Sequence, residues 1–405
     1  MTTQRPPASH HLYVHVPFCR LVCAYCDFVT VGGRADVIPR YVAALHAELA
    51  LRPPSGELQT IYFGGGTPSL MPADDVGGLV YAASRNWGRQ PDEVTLEANP
   101  SAREVPDWLG LRDAGVTRIS LGAQSLRDSE LRTLARGHSA AEVRSAYAAA
   151  RAAGLDNISL DLIYGIPGQS LTNWREGLGM AVSLGPEHLS LYALQLAMAP
   201  DEWAAPPRSG ALRWRRRVAA QQDEGMAADQ YALAEELLDA GGYRHYELSS
   251  WAHPGFESRH NNAYWARRPY TGIGAGAHSY DGAARRWWNE RDLDRYLASV
   301  EAGVPAEAGS ETLNEPDRAF EAIALGLRRV DGLSRATFAA EFGIDVTLRF
   351  PAAIASATEA DLLELPQGRM RLTARGRLMA SEALIGFLPE QAERGAGLAA
   401  DAIPA

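Results

Sequence analysis

The sequence predicts an α/β fold: a partial, TIM-like (β/α)6 barrel followed by a small C-terminal domain of helical, winged-helix-like character. Six short apolar runs alternate with longer amphipathic stretches, which is typical of a parallel sheet with right-handed crossovers. Cysteines, glycine-rich stretches and polar side chains of the kinds that form active sites follow the C-terminal ends of these runs. In a barrel, all of these strand ends meet at one mouth, which holds the active site. From about Pro316 the pattern changes to three helical stretches, a short hairpin and a last helix.

Each element of this barrel is predicted from its own stretch of sequence. The predicted strands are residues 12–16, 60–63, 94–97, 118–121, 158–163 and 188–194. The predicted helices are 39–51, 73–86, 105–114, 129–136, 140–153 and 171–184. The strand runs are mostly apolar rather than strictly alternating, which indicates strands that are covered on both faces. A flat doubly wound sheet fits the same alternation, but the clustering of unusual residues favours the barrel.

The rest of the chain is divided by changes in composition. Residues 1–10 are expected to be a flexible N-terminus, 11–240 the barrel, 241–305 a segment that closes it, 306–389 the C-terminal domain and 390–405 a frayed tail. Residues 198–217 are rich in proline and arginine and are predicted to form a long loop or lid. A helix over 223–240 follows and is closed by Gly241 and Gly242.

Composition excludes several classes of protein. The formal net charge is −10 and there is no lysine, so a broad nucleic-acid surface is disfavoured and lysine-based covalent chemistry is absent. No apolar run approaches the roughly 18 residues that a membrane-spanning helix needs. The N-terminal stretch MTTQRPPASHH has no apolar signal-peptide core. We therefore expect a cytoplasmic protein with no nucleic-acid partner, and a peripheral position at the membrane is left open.

All three cysteines lie in one stretch, HVPFCRLVCAYCDF, at Cys19, Cys23 and Cys26. A clustered, odd number argues against a secreted disulfide framework and favours a metal or catalytic role in a reducing compartment. Thiolates hold iron–sulfur clusters, and three of them leave one of four irons open to an external molecule. The alternative is zinc with His11 or His15 as fourth ligand. Structural zinc sites usually have two separated ligand pairs, so the spacing favours the cluster.

The cysteine spacing, with Tyr25 before the last cysteine, resembles the signature of radical S-adenosylmethionine proteins. In that superfamily the cofactor chelates the open iron of a 4Fe–4S cluster and is cleaved to a 5′-deoxyadenosyl radical. The segment GGGTP at residues 64–68 resembles the glycine loop that meets the methionyl amino group, and glycine allows such a close approach. Within the superfamily, nearly the whole chain resembles the coproporphyrinogen dehydrogenase (HemN) and HemW group, through YFGGGTPS, LEANP, RISLGAQSL, LRTLARGH, LDLIYGIPGQ and LSLYALQL.

The resemblance implies a set of cofactor contacts. The three cysteines would hold the 4Fe–4S cluster. The residues expected to contact S-adenosyl-L-methionine are Tyr13, Tyr25, Gly65, Gly66, Thr67, Glu97, Gln124, Arg136, Asp161 and Gln195. The chemistry of the polar members agrees with this. Glu97 and Asp161 can accept hydrogen bonds from an ammonium group or ribose hydroxyls, and Arg136 can pair with a carboxylate as a fork.

A second segment resembles a heme-binding motif of HemW proteins. His260-Asn261-Asn262-Ala263-Tyr264-Trp265 fits the pattern His-Asn-x-x-Tyr-Trp. The resemblance implies contacts with heme b by His260, Asn261, Tyr264 and Trp265. Further candidates are His253 and His278 as reserve iron ligands, Arg267, Arg268, Arg285 and Arg286 as partners of the propionates, and the glycine-rich stretch 272–278 as a backbone wall. Without the resemblance, the same segment favours a structural histidine in an aromatic cluster.

These resemblances predict a heme chaperone of the HemW type, which delivers heme to acceptor proteins such as membrane respiratory enzymes. One alternative is an oxygen-independent coproporphyrinogen III oxidase, a radical oxidative decarboxylase. Another is a different radical enzyme that acts on porphyrin or heme, such as a heme-degrading methyltransferase. The decarboxylases resemble Cys-x3-Cys-x2-Cys-x-Cys, whereas Phe28 occupies the fourth position here, and only 12 residues precede Tyr13. Both departures favour the chaperone.

Overall fold

The computed structural model describes residues 9–196 and 210–389. By its internal contacts the chain divides into two compact units, Met1–Thr312 and Leu313–Ala405. Residues 1–8, residues 197–209, which include the first part of the predicted loop, and the predicted tail over 390–405 lie outside the described residues.

The larger unit begins with six strands that alternate with six helices. The strands are β1 (Ser9–Val16), β2 (Glu57–Gly65), β3 (Glu93–Ala98), β4 (Arg118–Gln124), β5 (Ile158–Tyr164) and β6 (His188–Ala193). The helices are α1 (Ile38–Leu51), α2 (Ala73–Trp87), α3 (Trp108–Asp113), α4 (Asp128–Thr133), α5 (Ala140–Ala152) and α6 (Leu171–Ser183). The predicted order of elements is confirmed, although β1 begins inside the segment expected to be flexible.

The remainder of the larger unit mixes short strands with helices. Its helices are α7 (Ala211–Ala219), α8 (Glu224–Ala240), α9 (Arg259–Trp265) and α10 (Leu293–Glu301). Its strands are β7 (Arg244–Glu247), β8 (Ser250–Ala252), β9 (Tyr270–Ile273), β10 (His278–Tyr280), β11 (Arg285–Asn289) and β12 (Glu307–Thr312). No helix within residues 9–196 and 210–389 is both long and apolar enough to cross a bilayer.

In the described residues, twelve strands form one sheet in the order β12-β11-β10-β9-β1-β2-β3-β4-β5-β6-β8-β7. The strands from β9 to β6 run parallel, and the strands added at either edge are antiparallel. Strands β1 and β6 are therefore not neighbours, so the six-stranded barrel is partial, as predicted. The C-terminal ends of its strands form the mouth of the barrel, and the N-terminal ends form what we call its floor.

The barrel strands alternate between apolar and polar residues more regularly than the sequence analysis expected. In β3, Val94 and Leu96 belong to the hydrophobic core, so Thr95 and Glu97 lie on the opposite face, because side chains alternate along a strand. The same alternation in the other strands gives the barrel a polar interior. The inward residues are His11, Tyr13, His15, Thr60, Tyr62, Thr95, Glu97, Arg118, Ser120, Ser159, Asp161, His188, Ser190 and Tyr192. A TIM barrel is usually filled by branched apolar residues, so this interior departs from the common pattern.

Helix α7 lies where only a loop or lid was predicted. Among its arginines the helix has two apolar residues at helical spacing, Trp214 and Val218, and both are buried. They pack in a cluster with Ile163, Ile166 and Leu194, beside the ends of β5 and β6. A helix forms because this i, i+4 pair gives it one apolar face.

The smaller unit contains helices around a short antiparallel sheet. Its helices are α11 (Glu315–Arg328), α12 (Arg335–Phe342), α13 (Val346–Arg349), α14 (Pro351–Glu359), α15 (Ala374–Leu378) and α16 (Ala380–Ile385). Its strands are β13 (Leu333–Ser334), β14 (Leu363–Glu364) and β15 (Arg369–Leu372), in the order β13-β15-β14. The helical character of this unit is confirmed, with four helices before the sheet strands β14 and β15 and two after them, where three and one were predicted. The GRMRLT stretch forms only the single strand β15, which pairs with β14 to make the hairpin.

Candidate functional site

The cysteine loop leaves the mouth of the barrel directly after β1. Its base is fixed by main-chain bonds, because Phe18 pairs with Val31 and Cys19 with Gly32 in a short parallel ladder. Within the loop, the amide of Cys26 donates to the carbonyl of Cys23 at 3.2 Å. The loop is therefore held by its backbone, which leaves its side chains available.

The three thiols are free and partly buried. The hydroxyl of Thr67 lies 3.5 Å from the Sγ atom of Cys19, and Nη1 of Arg136 lies 2.9 Å from that of Cys23. Burial raises the pKa of Cys19 to about 11 and that of Cys26 to about 12, and the neighbouring thiols add to both shifts. Three thiolates here would repel one another unless a strongly positive group lay between them.

This donor set fits an iron–sulfur cluster. Three thiolates that need a shared positive partner are the ligands such clusters take. Among residues 9–196 and 210–389, no three His, Cys, Asp or Glu side chains are gathered closely enough to hold a single metal ion. The zinc alternative gains no support. His15 is bonded to the carbonyl of Val29 at 2.8 Å, and Nδ1 of His11 is 2.8 Å from the Thr60 hydroxyl.

The glycine loop after β2 lies against the base of the cysteine loop. The amides of Gly66 and Thr67 donate to the carbonyls of Val16 and Phe18, both at 2.8 Å. A Cβ atom on Gly66 would come within 2.7 Å of the Phe18 carbonyl oxygen, so any side chain would push the two loops apart. Gly65 has a φ of 112°, which L side chains rarely adopt. This stretch needs glycine for backbone packing, whether or not a cofactor is bound.

Glu97 lies beneath the glycine loop on the inner face of β3. Its carboxylate accepts hydrogen bonds from the Tyr62 hydroxyl at 2.8 Å and from the Gly65 amide at 3.0 Å. Burial raises its pKa to about 7, and the nearby carboxyl of Asp161 adds to the shift. Burial also raises the pKa of Asp161, which accepts from Ser120 at 2.8 Å. A carboxyl poised near neutral pH can accept an ammonium group and lose its own proton in doing so.

Arg136 joins the cysteine loop to the rim of the barrel. Besides Cys23, its guanidinium lies 3.4 Å from the Tyr25 hydroxyl and donates to Asn99 at 3.1 Å. Gln124, the last residue of β4, has a φ of 63°, a left-handed conformation that is uncommon outside glycine. The structure therefore brings Tyr25, Arg136 and Gln124 together at the mouth, close to the thiols.

The remaining residues expected to contact S-adenosylmethionine are distributed along the inner face. Tyr13 stacks on Tyr62, with ring centres 6.2 Å apart, and its hydroxyl lies 3.0 Å from Nδ1 of His15. Asp161 is half-buried on β5. Gln195 lies just beyond β6 and is exposed, one residue before the first gap in the described chain.

Two residues that sequence reasoning missed fasten the cysteine loop to α7. Arg215 donates to the carbonyls of Ala24 and Cys26, at 2.8 and 3.0 Å, and pairs with Asp27. Trp214 lies against Tyr25, with ring centres 6.3 Å apart, and its indole donates to the Thr133 carbonyl. The spacing of Trp214 and Val218 was the available signal, but the surrounding arginines hid it.

The His260 segment lies at the floor of the barrel. It forms α9, whose first turn is capped by Ser258 and whose Arg259 and His260 amides donate to the Glu93 carboxylate, both at 3.0 Å. The His260 side chain is 0 % exposed. Its Nδ1 lies 2.7 Å from the Thr60 hydroxyl and its Nε2 lies 2.8 Å from the Tyr264 hydroxyl. Both ring nitrogens are therefore engaged within the protein.

The other residues of the predicted heme motif surround this histidine. Tyr264 packs edge-on against His260 at 4.8 Å and Trp265 is buried beside it. The amide of Asn261 donates to Ser258, which orients the helix. The reserve ligands lie elsewhere. Ring stacking places His253 on Tyr243 at 4.2 Å and an exposed His278 on Trp288 at 5.9 Å.

The fold and the mouth define a class of protein. Residues 13–178 match the model of the Radical SAM superfamily, and residues 313–379 match the HemN C-terminal domain. Three free thiols after β1, with a glycine loop after β2, agree with the first match. The chain is a radical S-adenosylmethionine protein, and a domain of this class implies a 4Fe–4S cluster and S-adenosylmethionine.

Curated relatives narrow the class to one family. "Heme chaperone HemW" of Bacillus subtilis (strain 168) is 32% identical over 384 residues, which span 93% of this chain and 99% of that protein. The protein of the same name from Mycobacterium tuberculosis (strain CDC 1551 / Oshkosh) is 36% identical over 384 residues, 93% of this chain and 94% of the relative. The protein of the same name from Escherichia coli (strain K12) is 31% identical over 400 residues, which span 95% of this chain and 99% of that protein. The chain belongs to the HemW family.

A solved structure supports the fold. Coproporphyrinogen III oxidase (HemN) from Escherichia coli, described as a radical SAM enzyme, superposes with a TM-score of 0.78 over 95% of this chain and 91% of that chain. The two sequences are 21% identical, so this likeness shows the shared architecture and leaves the activity open.

Proposed function

We propose that this protein is a heme chaperone, which binds heme together with a 4Fe–4S cluster and S-adenosylmethionine and passes the heme to acceptor proteins. The observation that carries the proposal is its likeness, over more than nine tenths of its length, to proteins named heme chaperones. Phe28 agrees with it, since this residue stands where the decarboxylase pattern has a fourth cysteine. We place the protein in the cytoplasm, where it would meet respiratory acceptors at the membrane surface.

The mouth of the barrel is the proposed site of the cluster and S-adenosylmethionine. Cys19, Cys23 and Cys26 would supply the thiolates. The bound cluster would provide an open iron for the methionyl group and an electron for the reduction of S-adenosylmethionine. Around it, Glu97 offers a carboxyl poised near neutral pH to an ammonium group, and Arg136 offers a guanidinium to a carboxylate. The carboxylate of Glu97 and the guanidinium of Arg136 have opposite charges, which match the ammonium and carboxylate groups of an amino acid.

The His260 segment is the proposed heme contact, and its geometry sets a condition. The iron can take His260 only after one of its hydrogen bonds, to Thr60 or to Tyr264, has been released. His278 is exposed and its ring rests on Trp288, so it meets no such obstacle. Both histidines therefore belong in the test of the iron ligand.

The deciding experiment is a hemin titration of anaerobically reconstituted protein, followed by transfer of the heme to a heme-free membrane cytochrome. We expect a shifted Soret band, iron and sulfide near four per chain, and unchanged heme recovered in the acceptor. His260→Ala and His278→Ala, titrated in parallel, identify the iron ligand. A reconstituted protein that gives no Soret shift would end the chaperone proposal. Conversion of coproporphyrinogen III to protoporphyrinogen IX by the reduced protein would replace it with the decarboxylase.

A further inference from the structure

Two side chains inside the barrel each carry a polar atom that has no hydrogen-bond partner in the described protein. Thr95 on β3 and Arg118 on β4 are directly opposite each other in the parallel ladder. Thr95 is 0 % exposed and Arg118 is 2 % exposed. The Thr95 hydroxyl and the Nε atom of Arg118 are both buried without a hydrogen bond within residues 9–196 and 210–389. Other arginine Nε atoms of the described chain are also unpaired, so the distinguishing feature is that these two unpaired atoms belong to neighbours in one ladder, where a single ligand could bond to both.

Both side chains point into the barrel. Ile119 and Leu121 belong to the hydrophobic core under the helices, so Arg118 lies on the opposite, inner face of β4. Val94 and Leu96 place Thr95 on the inner face of β3 by the same argument. Tyr62 is opposite Thr95 on β2, which makes a continuous inner row of Tyr62, Thr95 and Arg118.

Arg118 forms no direct ion pair with a carboxylate of the described chain. Glu97 and Asp161 both feel its charge, but neither forms an ion pair with it in the described chain. Each carboxylate is already bonded elsewhere, Glu97 to Tyr62 and Gly65 and Asp161 to Ser120. A buried cation that lacks a direct ion pair is unfavourable, so a partner of opposite charge in hydrogen-bond contact would stabilise it.

The nearby histidines do not take this role either. The ring nitrogens of His188 are bonded to Ser159 and to Tyr246, both at 2.8 Å, and those of His260 to Thr60 and Tyr264. Burial holds the pKa of both imidazoles well below the usual value, and the charge of Arg118 adds to the shift. They are therefore neutral and occupied, and the surroundings leave Arg118 as a donor toward the interior.

We propose that Arg118 and Thr95 form a carboxylate-binding site inside the barrel, below Glu97. A planar guanidinium beside a hydroxyl donor suits the two oxygens of a carboxylate, whereas water would satisfy the hydrogen bonds but not the charge. The inference rests on the proposed function for its two candidate sources: a heme propionate and the methionyl carboxylate of S-adenosylmethionine. Arg136 at the mouth is the proposed partner of the methionyl carboxylate, so the propionate is the expected occupant of the inner site.

The test uses the full-length protein and a ligand that differs only in its carboxylates. Wild type, Arg118→Met and Thr95→Val are each titrated with hemin and with hemin dimethyl ester, which lacks free propionates, through the Soret band. The same three proteins are titrated with S-adenosylmethionine by equilibrium dialysis. Methionine replaces the unbranched stem of arginine without its guanidinium group, and valine has nearly the shape of threonine without its hydroxyl, so each variant removes the polar group while the inner row keeps most of its side-chain volume. Thermal unfolding of the ligand-free proteins provides the control for folding.

We expect wild type to prefer hemin over its ester by about tenfold, and both variants to lose that preference, since one charge-assisted hydrogen bond is worth about a factor of ten. The ligand-free Arg118→Met protein should unfold at the same temperature as wild type or at a higher one, because it has lost an unpaired buried charge. A purely structural arginine would instead lower that temperature and leave the preference intact.

The other outcomes are equally clear. If Arg118→Met weakens S-adenosylmethionine and spares hemin, the carboxylate site stands and its occupant is the methionyl group. If hemin binds wild type and both variants with the same affinity, and S-adenosylmethionine does too, internal water satisfies Arg118 and Thr95 and the inference is wrong. If wild type binds no hemin, the chaperone proposal fails, and the dialysis with S-adenosylmethionine still decides whether the carboxylate site exists.

Discussion

The mouth and the floor of the barrel each contain a compact sequence motif, and the protein treats the two in opposite ways. At the mouth, the cysteine loop is held by main-chain bonds and by Arg215, while its three cysteines form no disulfide and stay partly exposed, with Thr67 and Arg136 bonded to two of the thiols. At the floor, the ring of His260 is fully buried and both of its nitrogens are bonded to side chains of the protein. A motif therefore indicates which residue types matter, and only their surroundings decide whether they are available to a ligand.

The largest effect is expected at the mouth. Cys19→Ala should abolish the cluster, because three thiolates are the whole protein ligand set and two cannot hold it. Iron and sulfide after anaerobic reconstitution should fall from about four per chain to near zero, while the free energy of unfolding changes by less than about 1 kcal/mol, the range typical of partly exposed sites. Phe28→Ala is the matched control, since this side chain is 57 % exposed and should leave the iron content unchanged. Full iron in Cys19→Ala would disprove the cluster assignment.

At the floor the expected effect is on stability. His260→Ala removes two buried hydrogen bonds and leaves a cavity, so the free energy of unfolding should fall by about 3 kcal/mol in denaturant titrations. Tyr264→Phe removes one hydroxyl and should cost about 1 kcal/mol. A value near zero for His260→Ala would mean that the floor is as open as the mouth, and the contrast between the two would be lost.

The pH dependence of Glu97 tests how the mouth accepts a charged ligand. Its pKa of about 7 lies above the ordinary value, so the folded protein binds this proton more tightly than the unfolded chain. The contribution of Glu97 to the free energy of unfolding is therefore complete below the ordinary pKa, and it is lost as the pH rises through about 7. Glu97→Gln should remove this loss, and it should be about 1–2 kcal/mol more stable than wild type at pH 8, with no advantage at pH 4.

The same residue predicts the pH profile of ligand binding. An ammonium group pairs with the ionised carboxyl, so S-adenosylmethionine should bind more tightly as the pH rises from 6 to 8. Equilibrium dialysis should show a flat and weaker profile for Glu97→Gln. A profile that is the same in both proteins would show that Glu97 does not meet the ammonium group.

The smallest effect concerns the link between the cysteine loop and α7. Arg215→Ala removes bonds to the carbonyls of Ala24 and Cys26, and the loop should release its cluster to a chelator about fivefold faster, as expected for about 1 kcal/mol. Arg216→Ala, on the same helix, is the control because this side chain is exposed and, within the described residues, makes no hydrogen bond or ion pair with the loop. Equal release rates in the two variants would show that main-chain bonds alone hold the loop.

Much of the fold could be predicted because its information is local. The alternation of apolar runs with amphipathic stretches predicted six strands and six helices in their order, and the cysteine spacing with the GGGTP loop marked the mouth. The polar inner face of the strands was not predicted, because the runs were interpreted as mostly apolar, although stretches such as HLYVH and ISLDL alternate. The helix at Trp214 was missed because its apolar residues are few and arginines surround them.

The availability of each functional group depended on contacts between distant parts of the chain. Thr60 and His260 are 200 residues apart, and only the path of the sheet brings them to 2.7 Å. The unpaired state of Arg118 likewise depends on where neighbouring strands place their own carboxylates. The sequence by itself determined the elements and the residue types at the mouth, because periodicity and spacing act over a few residues. Only the tertiary structure decided which of these groups is buried, bonded or free, because burial and charge depend on what the folded chain places around them.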